Sequence, residues 1–311
     1  FRCNFVTVKK NIMVDYSSGH ITTNEAKVLI KMIDEKLGNE SMKFYAGVSY
    51  RHLMVTSKML PDLKCTPPHD IVGKEIVKYM PKGRGESLIK KLMEDSNLLL
   101  EGHEVNRDRR MAGKNPANMI WLWGQGNRVA MPTFAERFSM KGGIISAVDL
   151  VKGIARIIDL DVINVPGITG YIDTNYSGKA EYALKFLKQV RNDFCLIHIE
   201  VTDETGHNGD IKGKIKAIEN IDEKIIGPLI KGLDDLDDEY RIMITPDHPT
   251  PIIKKTHTAG YVPWFIYSSD SVREGLSSFD EATAAAGEKI DTGYTLIERL
   301  FNRGDSPFGQ A

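Results

Sequence analysis

Cysteine is scarce in this chain: its 311 residues include three, Cys3, Cys65 and Cys195, an odd number without metal-site spacing. This favours free thiols in a reducing compartment over a disulfide framework. Net charge is lacking as well. With 41 Lys and Arg against 42 Asp and Glu the formal charge is −1, so the balance offers nothing to nucleic acid or to an anionic membrane surface. No apolar run approaches the roughly 20 residues of a membrane span, and no signal peptide is visible. Internal repeats and low-complexity segments are absent too. The expectation is a cytoplasmic protein with one substantial core or two smaller ones.

The texture changes near residue 115. Before it, short β-branched or alternating runs at 5–8, 12–15, 44–48 and 52–56 surround a helix expected over 23–37, where Thr22 or Thr23 can cap the start and Glu25 follows closely. This predicts a small α+β unit over residues 1–115. The stretch 66–85 reads as loop, punctuated by Pro67-Pro68, Pro81 and Gly83-Arg84-Gly85. From 116 to 311, strand-like runs at 119–123, 143–148, 162–165, 194–199, 241–244 and 262–267 alternate with helical periods at 149–158 and 179–190. The clearest helix follows Asp210, with Ile211, Ile215, Ile218, Ile221 and Ile225 in period until Pro228 should kink or break it. Repeated β-α units with apolar strands imply an α/β fold: a mainly parallel sheet with helices on both faces.

Five side chains in three clusters carry the chemistry. They are Asp203 and His207 in Asp203-Glu204-Thr205-Gly206-His207, the adjacent pair Asp247-His248 after Ile244-Thr245-Pro246, and His257 in Thr256-His257-Thr258. Carboxylate with imidazole, and no thiolate, suits a borderline divalent ion such as Mn²⁺ or Zn²⁺. Two ions about 3.5–4 Å apart need roughly this many ligands. The clusters follow successive strands, and ligands in open α/β sheets bind at the carboxyl ends of parallel strands. Asp203 and His207 are expected in a loop that Gly206 and Gly209 let turn around an ion. A helix cap or surface loop is the ordinary use of any one such cluster; three together point to a dinuclear hydrolase or phosphoryl-transfer site.

These motifs, with Val262-Pro263 following, resemble those of the alkaline phosphatase superfamily. Further segments narrow the likeness: Phe1-Arg2-Cys3-Asn4-Phe5, Tyr50-Arg51-His52-Leu53, Pro67-Pro68-His69-Asp70, Asn115-Pro116-Ala117-Asn118, Trp121-Leu122-Trp123-Gly124-Gln125-Gly126 and Ser146-Ala147-Val148-Asp149-Leu150-Val151-Lys152-Gly153. Together they resemble the archaeal-type cofactor-independent phosphoglycerate mutases, from Phe1 almost to the C-terminus. The resemblance implies an alkaline-phosphatase-like core carrying a smaller inserted domain. It also implies interconversion of 3- and 2-phosphoglycerate through a phosphoserine enzyme, with two divalent ions (Mn or Zn, with Mg or Co as further candidates) and no 2,3-bisphosphoglycerate. One ion maps to Asp203, His207 and His257. The other maps to Asp247 and His248, together with an Asp and the nucleophilic Ser of the family's N-terminal segment. The chain opens at Phe1 within a strand-like run, and that segment is expected to be missing from it. No serine here is nominated as nucleophile, and the 311 residues alone are expected to be inactive.

Residues 1–115 would be the inserted substrate-capping domain and 116–311 the C-terminal part of the catalytic core. Arg51 and His52 are the leading candidates to grip substrate carboxylate or phosphate, since a guanidinium does so in bidentate fashion. His20, Arg2, His69 with Asp70, Arg84 and Lys141 follow. Trp121 and Trp123 read as packing, His198 as a satisfied histidine inside a strand, and His103 as surface. Two further readings stay open: a metal-dependent phosphatase or other phosphotransferase of the same superfamily, and a non-catalytic metal-binding fragment.

Overall fold

The computed structural model describes residues 1–58, 60, 62–189, 192–236, 238–270, 275 and 278–301. The chain divides into two compact units, Phe1–Arg128 and Val129–Ala311.

In the first unit, β1 (Arg2–Lys9), β2 (Ile12–Asp15), β3 (Met42–Tyr45), β4 (Arg51–Thr56) and β5 (Met119–Trp123) form one antiparallel sheet in the order β2-β1-β4-β3, with β5 on the other side of β1. Helix α1 (Thr23–Leu37) starts in a capping box between Thr22 and Glu25, as the sequence predicts, and buries Ala26, Leu29, Ile30 and Ile33. Helices α2 (Glu86–Glu101) and α3 (Glu104–Met111) complete the unit. His103 caps α3, its Nδ1 accepting the Val105 N–H at 3.2 Å. Strand β4 alternates, with His52 and Met54 buried and Arg51, Leu53 and Val55 exposed, so one face of the sheet lies on the core. β5, expected to open the second domain, pairs with β1 from Arg2↔Trp123 to Val6↔Met119. The first unit therefore runs past 115 to Arg128. Trp121 is fully buried, its indole N–H donating to the Thr66 carbonyl.

In the second unit, α4 (Phe134–Phe138), β6 (Gly142–Ile145), α5 (Asp149–Ile157), β7 (Asp161–Val162), α6 (Tyr176–Leu187) and β8 (Phe194–Ile197) build a parallel ladder in the order β7-β6-β8. The predicted helix over 179–190 starts earlier, at Tyr176, and its final residue, Val190, lies outside the described residues. Glycine matters in β6: a Cβ on Gly143 would lie 2.8 Å from the Phe186 ring and 2.9 Å from Ile163, so α6 packs directly on the strand. Beyond β8 come α7 (Val201–Asn208), α8 (Ile211–Ile221), a π-helical turn (Asp222–Ile226) and α9 (Gly227–Asp234).

The helix predicted after Asp210 is present, capped by the Asp210 carboxylate on Gly213 N–H. Its Ile211, Ile215 and Ile218 are exposed, whereas Ala217, Asn220 and Ile225 are buried. Nor does Pro228 break it. The chain widens into the π turn just before the proline, with Gly227 N–H bonding to the Asp222 carbonyl, and α9 continues with Pro228 in its first turn.

β9 (Arg241–Ile244) and β10 (Phe265–Ser268) pair with each other, antiparallel, from Phe265↔Ile244 to Ser268↔Arg241. The strand before Asp247-His248 is thus where it was expected, but its ladder is a separate antiparallel one. Helices α10 (Glu281–Ala284) and α11 (Leu296–Phe301) follow. Among the described residues no helix is long and apolar enough to cross a membrane, and all three cysteines are free.

Candidate metal centre

Asp203 and His207 lie on a helix, not in the expected loop. α7 follows β8 after three intervening residues, which puts Asp203 in its first turn, where the helix dipole favours a carboxylate. The i, i+4 spacing brings His207 to the same face, its Nε2 3.2 Å from Asp203 Oδ2. Gly209, at φ +70°, ends the helix in the left-handed conformation. Gly206 stays helical and lets a loop lie against α7: a Cβ there would sit 2.7 Å from the Thr250 carbonyl oxygen.

That loop delivers the third candidate ligand. It folds back on itself through Thr258 N–H to the Pro249 carbonyl at 3.0 Å. His257 Nε2 then comes 3.2 Å from Asp203 Oδ1 and 3.0 Å from His207 Nε2. One ligand atom from each of Asp203, His207 and His257 lies within 4.8 Å of the others. Donors bound to one ion at about 2.0–2.2 Å stand roughly 3.0–3.5 Å apart, so the observed spacings fit a single divalent ion. The donor set, one carboxylate oxygen and two imidazole nitrogens, is that of a borderline metal. The His207 ring is held from its far side, where Nδ1 lies 3.0 Å from the Lys255 carbonyl. A carbonyl only accepts, so Nδ1 carries the proton and Nε2 is left bare.

The Asp247-His248 pair adjoins this set. The His248 and His257 rings are 3.8 Å apart between centroids, inclined at 36°, and Thr250 Oγ1 reaches both Asp203 Oδ1, at 2.6 Å, and His248 Nδ1, at 3.3 Å. Asp247 itself is exposed, its carboxylate 3.3 Å from His248 Nε2.

A second polar cluster sits at the carboxyl ends of β6 and β8. The Ile145↔Ile197 register puts Ser146 beside His198, with Ser146 Oγ 3.2 Å from His198 Nδ1 and His198 Nε2 3.5 Å from Glu200. Lys179 on α6 is fully buried and donates to the His198 carbonyl at 3.0 Å. Burial pushes its ammonium down to about 8, against the pull of Glu200. Burial raises the Glu200 carboxyl, His198 draws it back, and Asp203, Glu204 and Asp247 raise it further. Sequence reading passed over Thr250, Lys179 and Glu200, and noted Ser146 only as the start of a family segment. The only signal for Thr250 was its position two residues after His248.

The remaining candidates fall in two groups. In the first unit Arg2 lies 4.7 Å over the Trp123 ring, and His69 meets Trp123 and Tyr16 edge-on. Tyr16 meets Tyr50, which in turn carries His20 at its edge and Arg51 at 5.1 Å. Four of the nominated side chains thus share one aromatic cluster, with Asp70 3.6 Å from His69. Arg84 is exposed elsewhere on that unit, and Lys141, on the second, is 3.7 Å from Asp161. His52 does not fit the role expected of it. It is 3% exposed, packs edge-on against Phe5, and accepts the Gly47 N–H at Nδ1. Burial pushes its pKa down to about 4. It faces the core because β4 alternates and Arg51 takes the outer position. A neutral core imidazole does not bind an anion.

The model of the Metalloenzyme superfamily matches residues 6–297. The 2,3-bisphosphoglycerate-independent phosphoglycerate mutase of Methanosarcina acetivorans is 46% identical over 289 residues, 92% of this chain and 72% of that protein. The protein of the same name from Methanothrix thermoacetophila is 46% identical over 298 residues, 96% of this chain and 74% of its own length. A solved structure from Pyrococcus horikoshii covers 100% of this chain and 75% of that one, with a TM-score of 0.74 at 25% identity. The chain belongs to the Metalloenzyme superfamily and, within it, to the 2,3-bisphosphoglycerate-independent phosphoglycerate mutases.

Proposed function

We propose that this protein interconverts 3-phosphoglycerate and 2-phosphoglycerate with two divalent ions and without 2,3-bisphosphoglycerate. The observation that carries the reading is the convergence of Asp203, His207 and His257 beside His248, in a chain whose relatives bear that activity in their names. Asp203, His207 and His257 hold one ion. Asp247 and His248 contribute to the other, completed by an Asp and a nucleophilic Ser assigned to none of the residues described here. Mn²⁺ or Zn²⁺ suits the donor set best. Bound ions lower the pKa of a coordinated hydroxyl and offset charge on the phosphoryl oxygens.

The chain's own groups do the rest. Lys255 fixes the His207 tautomer through its carbonyl. Ser146 is not assigned as nucleophile, since it is buried and its oxygen accepts the Val148 N–H. The first unit acts as the inserted domain. Its Arg51, Arg2, His20, His69 and Arg84 are the groups proposed to bind carboxylate or phosphate, with Lys141 in the second unit. Arg51 and Arg2 are exposed cations resting on aromatic faces, which holds each guanidinium in place without neutralising it. A mutase must retain glycerate and exclude water between the two transfers, or it becomes a phosphatase. The site of action proposed is the cytoplasm, whose reducing conditions suit the three free thiols.

The test is an assay, with Mn²⁺ and 3-phosphoglycerate, of the protein together with the segment that supplies the Asp and Ser, following 2-phosphoglycerate and inorganic phosphate together; the 311 residues alone are expected to be inactive. Isomerisation without phosphate release is expected. Release of phosphate in step with substrate loss would make it a phosphatase, and ion binding with neither reaction would make it a metal-binding protein only.

A further inference from the structure

Thr250 stands between the two ligand sets and is only 5% exposed. Its Oγ1 is 2.6 Å from Asp203 Oδ1 and 3.3 Å from His248 Nδ1. An ionised carboxylate only accepts, so the hydroxyl proton points to Asp203. The lone pairs of the same oxygen are left to accept, and His248 Nδ1 donates to them when it carries the ring proton. That assignment leaves His248 Nε2 bare for an ion, the arrangement the Lys255 carbonyl enforces on His207.

The position of Thr250 is fixed from three sides. Gly206 on α7 opens the space: a Cβ there would lie 2.8 Å from Thr250 Cγ2. Lys214 on α8 donates to the Thr250 carbonyl at 2.8 Å. The Thr258-to-Pro249 hydrogen bond closes the loop around it. The hydroxyl is therefore held where both contacts are made together, and the 3.8 Å ring contact with His257 keeps the His248 plane from turning away.

We propose that Thr250 is a positioning residue that ties the two ligand sets into one unit, its hydroxyl accepting from His248 Nδ1 and donating to Asp203 Oδ1. Ordering the carboxylate for one ion then also orients the imidazole for the other. This rests on the two-ion reading above. Partners that hydrogen-bond to metal ligands typically govern affinity by about 10–100-fold when removed.

Two variants separate the hydrogen bonds from packing. Thr250→Val keeps the shape and loses the hydroxyl; Thr250→Ser keeps the hydroxyl and loses the methyl. Binding of Mn²⁺ and Zn²⁺ to the protein together with the segment that supplies the second ion's Asp and Ser, measured by competition with a chelating dye, is expected to weaken about tenfold or more in both steps for Thr250→Val. Thr250→Ser is expected to bind as the unsubstituted protein does. If Thr250→Val does not fold by circular dichroism, Thr250→Ala gives the same reading. Uptake of both ions by the hydroxyl-free variant with unchanged affinity overturns the tie and leaves the two-ion reading standing, as does weakening by Thr250→Ser as large as by Thr250→Val. Failure of the unsubstituted protein to bind ions overturns both.

Discussion

His207 and His257 meet Nε2 to Nε2 at 3.0 Å across fifty positions of sequence. His207 Nδ1 is engaged by the Lys255 carbonyl, so its Nε2 presents a lone pair to its neighbour, and a cation placed between the two rings is what both can bind. His207→Ala is expected to weaken Mn²⁺ binding by more than the about 100-fold upper range for loss of a supporting hydrogen bond. Lys255→Ala should change it little, because the backbone carbonyl does the holding. Chelator competition checks both. Equal affinity in His207→Ala would remove this residue from the ligand set.

The buried His52 makes the first unit acid-sensitive. Its pKa in the folded state is about 4, against 6.5 for the free side chain. The unfolded chain therefore binds the proton more readily between those values. The stability contributed is fully present above pH 6.5 and is lost as pH falls towards 4, by on the order of 3 kcal/mol. Urea unfolding at pH 7 and pH 4.5 should show that loss, and His52→Leu should show less of it. An identical pH slope in the variant would refute this source of the sensitivity.

Lys179 acts in the opposite range. Its folded pKa of about 8 lies below the ordinary 10.5, so the unfolded chain again binds more protons between the two. Stability of the second unit should rise from about pH 8 towards pH 10, by on the order of 2–3 kcal/mol. Lys179→Met should flatten that rise, as read by thermal unfolding across the range. A rise of the same size in the variant would place its origin elsewhere.

Arg51, proposed to bind substrate, rests over the Tyr50 ring and adjoins neither ligand set. In the complete enzyme, Arg51→Ala is expected to cut isomerisation at least tenfold, roughly what losing a charged hydrogen bond of about 1.5–3 kcal/mol implies, with Mn²⁺ binding unchanged and a larger share of phosphate released. Unaltered kinetics with 3-phosphoglycerate would reject the assignment.

Much of this was legible in the sequence where a local signal exists. The Thr22–Glu25 capping box gave α1 its start, and the five metal-type side chains stood out by type and spacing. Helix α2 was invisible at its start because Gly85, in the left-handed conformation, provides no side-chain cap. Helix α3 was hidden by its histidine cap. α7 was misread as a loop since Gly206 lies inside it, and only contact with Thr250 explains that glycine. The strands β9 and β10 were evident, but an apolar run does not state its partner, and their antiparallel pairing came from the structure. Thr250 was missed for the same reason: its role is a matter of proximity, and a threonine after a proline carries no mark of it.

The π turn at Asp222–Ile226 settles a question of phase. Ala217, Ile221, Ile225 and Leu229 all pack into one cluster, spaced every four residues. On a helix of 3.6 residues per turn, a four-residue step overshoots by about 40°, so a stripe of this spacing winds away from the core within three steps. One wider turn winds it back, and Leu229 returns to the side that Ala217 occupies. The surplus residue works like a leap day, correcting an accumulated drift. Removing any one residue from 222–226 would leave the segment helical and turn Leu229 out of the core.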